Sequence, residues 1–477
     1  MPFTDAIDRT GRDRHASGMD TKRFRRLGNS LPRMLGWDNA DWTDVHYLPR
    51  SEPLATPMPI GAVASVALAA VGVAAGSIAR QRGLQAGPVK VDTVASGLAM
   101  RANDYLRLDG KPPGSWPELT RFYRAADGWV FLHGGFPPQA ARLAESLGAA
   151  NNRESVTARV AELPAQEVED RCLATNTCGR RLRTLEEWLE HPAAKSIADQ
   201  PALSFESIGE GDPHPWQTAE TPLTGIRVLD LSRVLAGPTI GRTLAEHGAE
   251  VLRVAGPEVP FIEALVIDTG FGKRSAHINL ATDDGRAQMR ALVRDADVFI
   301  DGYRPGALAG HGLDPETLFD LNPNLVHLTL SAFGETGPWG GSRGYDSLVQ
   351  AAVGLAGGDP PRRLPCQPLD YLAGYLGAFA IMRALDVRAG TGRGARIALS
   401  LAGMAHWLRE MTAQIDPVPD PPEHNPRSKE VASELTQLDT VFGRVTTLRP
   451  ALDVPWRNRV WAPSVRLGTH APQWSDA

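Results

Sequence analysis

The sequence predicts an α/β protein: a Rossmann-like doubly wound, mostly parallel sheet over residues 223–410, with a smaller α/β domain placed N-terminally. Three observations carry this reading. First, GIRVLDLS, AEVLRVA, DVFIDGY and LVHLTLSAFG are short apolar runs that alternate with segments of helical spacing, AGPTIGRTLAEHGAE, GRAQMRALVRDA and PETLFDLNPN. Continuous apolar runs suit strands covered on both faces, and strand–helix alternation gives crossovers that lay helices on both sides of a parallel sheet. Second, FYRAADGWVFLHGG reads as strand, Asp127-Gly128 turn, strand, which is a hairpin rather than a crossover. Third, 477 residues allow two to four domains.

Taken in order, residues 1–55 are polar, Arg-rich and broken by Pro, and read as a flexible N-terminal arm. Residues 56–208 read as a helix-strand pair followed by the small domain. A long buried helix and the strand PVKVDTV open this stretch, and ARLAESLGA and TLEEWLEHPAA carry helical spacing. Residues 209–222, rich in Gly and Pro, read as a linker. The large domain over 223–410 contains a helix with Pro near its start and Gly248 at its end. Residues 411–477 read as a Pro-rich link and a C-terminal segment that returns to the large domain.

Composition excludes several classes. Hydrophobic residues at 42% and charged residues at 22% fit a soluble globular chain, and a net charge of −5 offers no nucleic-acid footprint. Three cysteines, Cys172, Cys178 and Cys366, exclude a disulfide scaffold and point to a reducing, cytoplasmic setting. The first strand-to-helix turn, SRVLAGPTIGR, lacks the GxGxxG that a nicotinamide or flavin site needs, and no Walker A motif is present. The histidines are scattered without zinc-site spacing, so no metal is expected. Residues 60–79 are uncharged and about long enough to span a bilayer, but they are built of Ala, Gly, Val and Ser. They are expected to be a buried helix, with no membrane partner.

The segment PLTGIRVLDLSRVLAGPTIGRTLAEHGAEVLRV closely resembles the opening of the family III CoA-transferases. FGKRSAHINLATDDGR, DADVFIDGYRPGAL, LNPNLVHLTLSAFGETGPW, GYDSLVQAAVGL, PLDYLAGYLGAFAIMRAL and TGRGARIALSL continue the resemblance in the family's order. FYRAADGWVFLHGG and TLEEWLEHPAA resemble that family's small domain, here placed first rather than inserted after the large-domain strand. Residues 65–94 and 375–401 also read as a weak internal repeat of helix, basic turn and strand.

The resemblance implies an exchange of CoA between an acyl-CoA thioester and a free carboxylic acid, with no permanently bound cofactor and an interlocked homodimer. It implies Asp370 as a covalent nucleophile; the bland alternative is an ordinary helix-capping aspartate. Gly357 and Gly358 are candidates for oxyanion donors. The resemblance places Arg233, Val234, Leu235 and Ala236 along the pantetheine and acyl pocket. Arg253, Lys273, Arg274, Arg304 and Arg343 are candidate phosphate partners, with Tyr303, Phe333 and Tyr345 beside them. The chain departs from the family at Gly256, Gly302, Gly310 and Ser331. Two alternatives stay open. One is an α-methylacyl-CoA racemase, whose Gly-His-Asp block is here Gly344-Tyr345-Asp346 and so lacks a base. The other is a catalytically reduced binding protein on the same fold.

Overall fold

The computed structural model describes residues 19–38, 40–114, 116–456 and 462–475. Its centre is a seven-stranded sheet. Numbered along the chain, its strands are β1 (Leu203–Ile208), β2 (Arg227–Leu231), β3 (Glu250–Ala255), β4 (Lys273–His277), β5 (Val298–Asp301), β6 (Val326–Ser331) and β7 (Gly394–Ser400). The spatial order is β4-β3-β2-β5-β6-β7-β1. Six strands are parallel and β1 closes the edge antiparallel to β7. Order reverses between β2 and β5, and beyond the carboxyl ends of the strands at such a reversal open α/β sheets form their ligand crevice.

β1 was expected to belong to the small domain; instead LSFESI covers the outer edge of β7, which would otherwise present an unpaired row of backbone groups. The small domain itself keeps the hairpin Arg121–Arg124 and Trp129–Leu132, joined by a third strand, Gly179–Arg181. Its helices close a separate core around Leu132, Leu143 and Val160.

Residues 19–55 differ from the loose arm expected. Asp20 caps the helix Thr21–Gly28, and Phe24, Leu27, Leu31 and Leu35 bury one face of this segment. The strand Val45–Leu48 then pairs in parallel with Val89–Asp92. Residues 1–18, also part of the expected arm, lie outside the described residues.

The apolar stretch at 60–79 falls within the helix Ile60–Gln81, buried along nearly its whole length inside the protein. It packs against the long helix Pro368–Thr391 and against Thr93–Ala99. Small residues permit the close approach: a Cβ on Gly72 would lie 2.3 Å from Val89. The apolar faces of this helix are therefore covered within one chain.

The weak repeat has a structural counterpart. In each copy a strand, a long helix and a parallel strand are followed by a capped helix: Val45–Leu48, Ile60–Gln81, Val89–Asp92 and Thr93–Ala99, against β6, Pro368–Thr391, β7 and Leu401–Thr412. Even the helix starts match. Glu52 Oε1 accepts from the Gly61 amide at 2.7 Å, as Asp346 does from the amides of Leu369 and Asp370. Burial raises the Glu52 carboxyl to about 8 against the amide bonds. A folded-state value above the ordinary 4.5 means stability fully present below 4.5 and lost as pH rises through 8. The expected result is that Glu52→Gln tracks wild type in acid and becomes the more stable protein as pH climbs from 5 to 8.5. A gap in denaturation midpoint that stays constant across that range would refute this.

The C-terminal segment returns to the large domain. His470 and Ser275 exchange hydrogen bonds, and Trp474 is buried beside the helix Asp283–Arg294. The hairpin Leu435–Thr440 and Gly443–Leu448 adds Arg107–Leu108 as a third strand.

Candidate active site

β2 delivers its chain end into the crevice. Asp230 near its end accepts from the Ser232 amide at 3.1 Å and from the Ser232 hydroxyl, which tightens the turn. Two residues on, Val234 sits at φ 71°. A β-branched residue there is strained, and such strain concentrates where function over-determines the backbone. Leu235 then caps the helix Ala236–Glu246.

On the other side of the crevice, Pro368 opens the long helix and Asp370 lies in its first turn. Asp346 begins the helix Asp346–Ala352, and one of its oxygens accepts from Leu369 at 2.7 Å and Asp370 at 3.0 Å. Gln350 donates to the other oxygen and accepts from the Leu364 amide at 2.8 Å, so Asp346 is held rigidly. Burial, and then the charge of Asp346, push Asp370 well above the usual carboxylate range. Asp346 itself is raised to about 6, chiefly by burial. Two carboxyls this close resist ionising together.

Asp370 and Asp346 open onto a cavity of about 900 Å³. Val234, Leu235 and Tyr345 line it from the large domain, His133 and Phe136 from the small domain, and Arg101 from the segment after the first repeat copy. His133 stacks on Tyr345, ring centroids 4.0 Å apart, and the Tyr345 hydroxyl donates to Gln139 at 2.8 Å. Burial holds the His133 imidazole down to about 3 and raises the Tyr345 phenol to about 12. The small domain thus roofs the Asp370 cavity within the same chain.

The expected site residues divide. Asp370, Val234, Leu235 and Tyr345 meet in the cavity, and Ala236 starts the helix beside it. Arg233 lies over the rings of Phe136 and Tyr303 and shares a side pocket with the buried Arg253. Arg343 is half-buried; burial and then the neighbouring charge of Arg304 lower its affinity for a proton, with Arg142 adding to the effect. Others lie elsewhere. Lys273 is fully buried on Asp230 at 2.7 Å and on the Pro238 carbonyl at 2.7 Å, and burial lowers it to about 8. Arg274 pairs with Glu250 and the C-terminal tail. Phe333 packs edge-on against Trp339 in the core. Gly357 and Gly358 occupy an exposed turn closed by hydrogen bonds with Arg362, outside the cavity lining.

Sequence reasoning passed over Asp346, His133 and Arg101. Asp346 had a signal, its place in the Gly344-Tyr345-Asp346 block. The other two come from segments far along the chain and gain meaning only from the fold. Among the described residues no cluster of His, Cys, Asp and Glu could hold a metal ion.

Comparison with known proteins gives two segments, residues 34–214 and 223–434, that match the model of CoA-transferase family III. A succinate–glutarate CoA-transferase of Agrobacterium fabrum is 38% identical over 203 residues, 38% of this chain and 51% of that protein. A formyl-CoA:oxalate CoA-transferase of Escherichia coli is 32% identical over 198 residues, 38% of this chain and 48% of its own. The chain thus spans about half the length of these relatives. Among solved structures, Rv3272 of M. tuberculosis is 34% identical, with TM-score 0.38 over 40% of this chain and 56% of the other. With both segments matched, the sheet ordered around a crevice between β2 and β5, and small-domain and large-domain elements facing one cavity, the chain belongs to CoA-transferase family III.

Proposed function

We propose that the protein transfers CoA between an acyl-CoA thioester and a free carboxylic acid, with Asp370 as the covalent nucleophile. The observation that carries this is a buried carboxyl in the first turn of a helix, facing a cavity whose two walls come from one chain. The Asp370 carboxylate attacks the thioester carbonyl and CoA thiolate leaves, giving a mixed anhydride. The thiolate returns to the aspartyl carbonyl and the original acid departs, giving an aspartyl-CoA thioester. The acceptor carboxylate attacks that thioester, CoA thiolate leaves again, and the thiolate then attacks the acceptor's carbonyl, releasing the Asp370 carboxylate and the new acyl-CoA.

The environment suits such a nucleophile. The amides of Leu369 and Asp370 are taken up by Asp346, and burial keeps the Asp370 carboxylate poorly solvated and reactive once formed. His133 and Phe136 of the small domain wall the cavity in which the anhydride would form. Arg304, Arg343 and Arg142 together supply positive charge suited to the phosphates of the CoA substrate. Racemisation is the weaker reading. His133 does bring an imidazole to the wall at Tyr345, but a value near 3 makes it a poor base at neutral pH. The test is trapping: after incubation with acyl-CoA and hydroxylamine, mass spectrometry is expected to find a hydroxamate on Asp370. Adducts elsewhere, or exchange without any adduct, count against the assignment.

A further inference from the structure

We infer that His133 is a further catalytic residue, whose Nε2–H donates a hydrogen bond to the acyl carbonyl oxygen while Asp370 attacks; this rests on the transferase reading above. His133 comes from the small domain and lines the Asp370 cavity. Its backbone amide donates to the Cys178 carbonyl at 2.8 Å, and its ring stacks on Tyr345, 15° from parallel. Gly135 leaves room for the imidazole: a Cβ there would lie 2.7 Å from its Cε1. Tyr345 precedes Asp346, whose carboxyl holds the turn that bears Asp370, so the imidazole is seated on the wall that carries the nucleophile. The two ring nitrogens differ. Nδ1 is enclosed and has no hydrogen-bond partner. Nε2 has no partner either among the described residues, but it is not enclosed, so it is the nitrogen that meets the cavity. A proton on Nδ1 would be a stranded buried donor, which puts the proton of the neutral ring on Nε2. The Tyr345 hydroxyl beside it has already given its hydrogen to Gln139 at 2.8 Å.

The chemistry calls for such a donor. When an Asp370 oxygen bonds to the thioester carbon, the C=O electron pair moves onto oxygen, and a preorganised donor stabilises the charge that develops there. The pair then re-forms C=O as the C–S bond breaks, and CoA leaves as thiolate. No proton moves, so His133 lends its hydrogen bond and keeps its proton. Neutrality matters for the next step. The thiolate has to return to the aspartyl carbonyl, and an imidazolium in the cavity would hand it a proton and halt the return. Burial, and then the charge of Arg363, hold the imidazole down to about 3 and so keep it neutral. The property that makes His133 a poor base therefore suits it to this role. Gly357 and Gly358, the donors expected from the sequence, stand outside the cavity lining.

The test uses the full chain with His133→Phe, which keeps a ring on Tyr345 without a donor, and His133→Gln, which keeps a side-chain N–H. His133→Phe is expected to lower kcat by about a hundred- to a thousandfold, with the KM for acyl-CoA changed by less than about threefold. His133→Gln is expected to recover about tenfold or more of that loss. A kcat for His133→Phe within about threefold of wild type overturns the inference, as does a loss confined to KM or a Gln variant no better than Phe. A second readout needs no turnover. A ketone analogue of acyl-CoA, with methylene in place of the thioester sulfur and an isotope-labelled carbonyl, is bound and followed by infrared difference spectroscopy. Its carbonyl stretch is expected at lower frequency on wild type than on His133→Phe or His133→Met, because a donated hydrogen bond weakens C=O. A structural role would leave the frequency unmoved, and that result overturns the inference. If wild type gives neither exchange nor an Asp370 adduct, the transferase reading fails. The infrared comparison then still decides His133: a lowered frequency supports the donor, and an equal frequency or no binding overturns it.

Discussion

Asp370→Ala is expected to remove CoA exchange by at least about a thousandfold while leaving the fold intact. The Asp370 carboxyl carries a raised proton affinity rather than a structural bond, and Asp346 supplies the helix cap through its own oxygen. An alanine there therefore removes chemistry without orphaning the helix start. A variant that retains more than a few per cent of the exchange rate, with an unchanged denaturation curve, would falsify the nucleophile assignment. The pH profile gives an independent reading. The nucleophile must be ionised, and its proton is held first by burial and then by the charge of Asp346. Exchange is expected to rise with pH through that ionisation. Asp346→Asn keeps an oxygen for the amides and deletes the charge, so the rising limb moves to lower pH. A limb that moves to higher pH would contradict the arrangement.

Asp230→Ala is expected to cost about 3–5 kcal/mol of stability, because it strands Lys273 in the core. Their side chains are 0% and 1% exposed, and the amine lies 2.7 Å from the carboxylate. With Asp230 gone, Lys273 keeps only the Pro238 carbonyl. The same substitution frees Ser232, which leads into the strained turn at Val234, so activity falls with stability. Replacing both partners, Asp230→Leu with Lys273→Met, is expected to recover most of the stability, since a well-packed apolar pair often matches a buried ion pair. Urea unfolding of the three proteins decides this. A loss below about 1 kcal/mol for Asp230→Ala would mean that the pair is not load-sharing in the core.

Lys273 also marks where sequence reasoning stops. A lysine in FGKRSAH reads as a charge available to a ligand, because its partner on β2 lies 43 residues earlier and only the pairing of β2 with β3 and of β3 with β4 brings the two close. Arg274 fails for the same reason, with Glu250 on the neighbouring strand. What was legible were features whose cause is local. β2, β3, β5 and β6 are apolar along their length because both faces are covered, and the pattern survives in any linear reading. Asp370 stood out because of the residues around it in PLDYLAGYLGA. The helical face of Phe24, Leu27 and Leu31 was masked by the arginines between those positions, which make the segment polar on average while one side remains apolar. β1 was missed because LSFESI alternates weakly and its partner β7 lies about 190 residues away in sequence.

The wall bearing Arg101 and His133 and the wall bearing Val234 and Asp370 are parts of one polypeptide. Where such walls belong to different subunits, dilution pulls them apart and specific activity falls with enzyme concentration. Here the effective concentration of one wall at the other is set by the connecting chain and by the packing of Ile60–Gln81 against Pro368–Thr391, not by how much protein is in the tube. Inheritance is affected in the same way: a substitution that reshapes one wall always travels with the opposite wall it has to fit, so acceptor preference can drift through paired changes on one gene without first passing through mismatched assemblies.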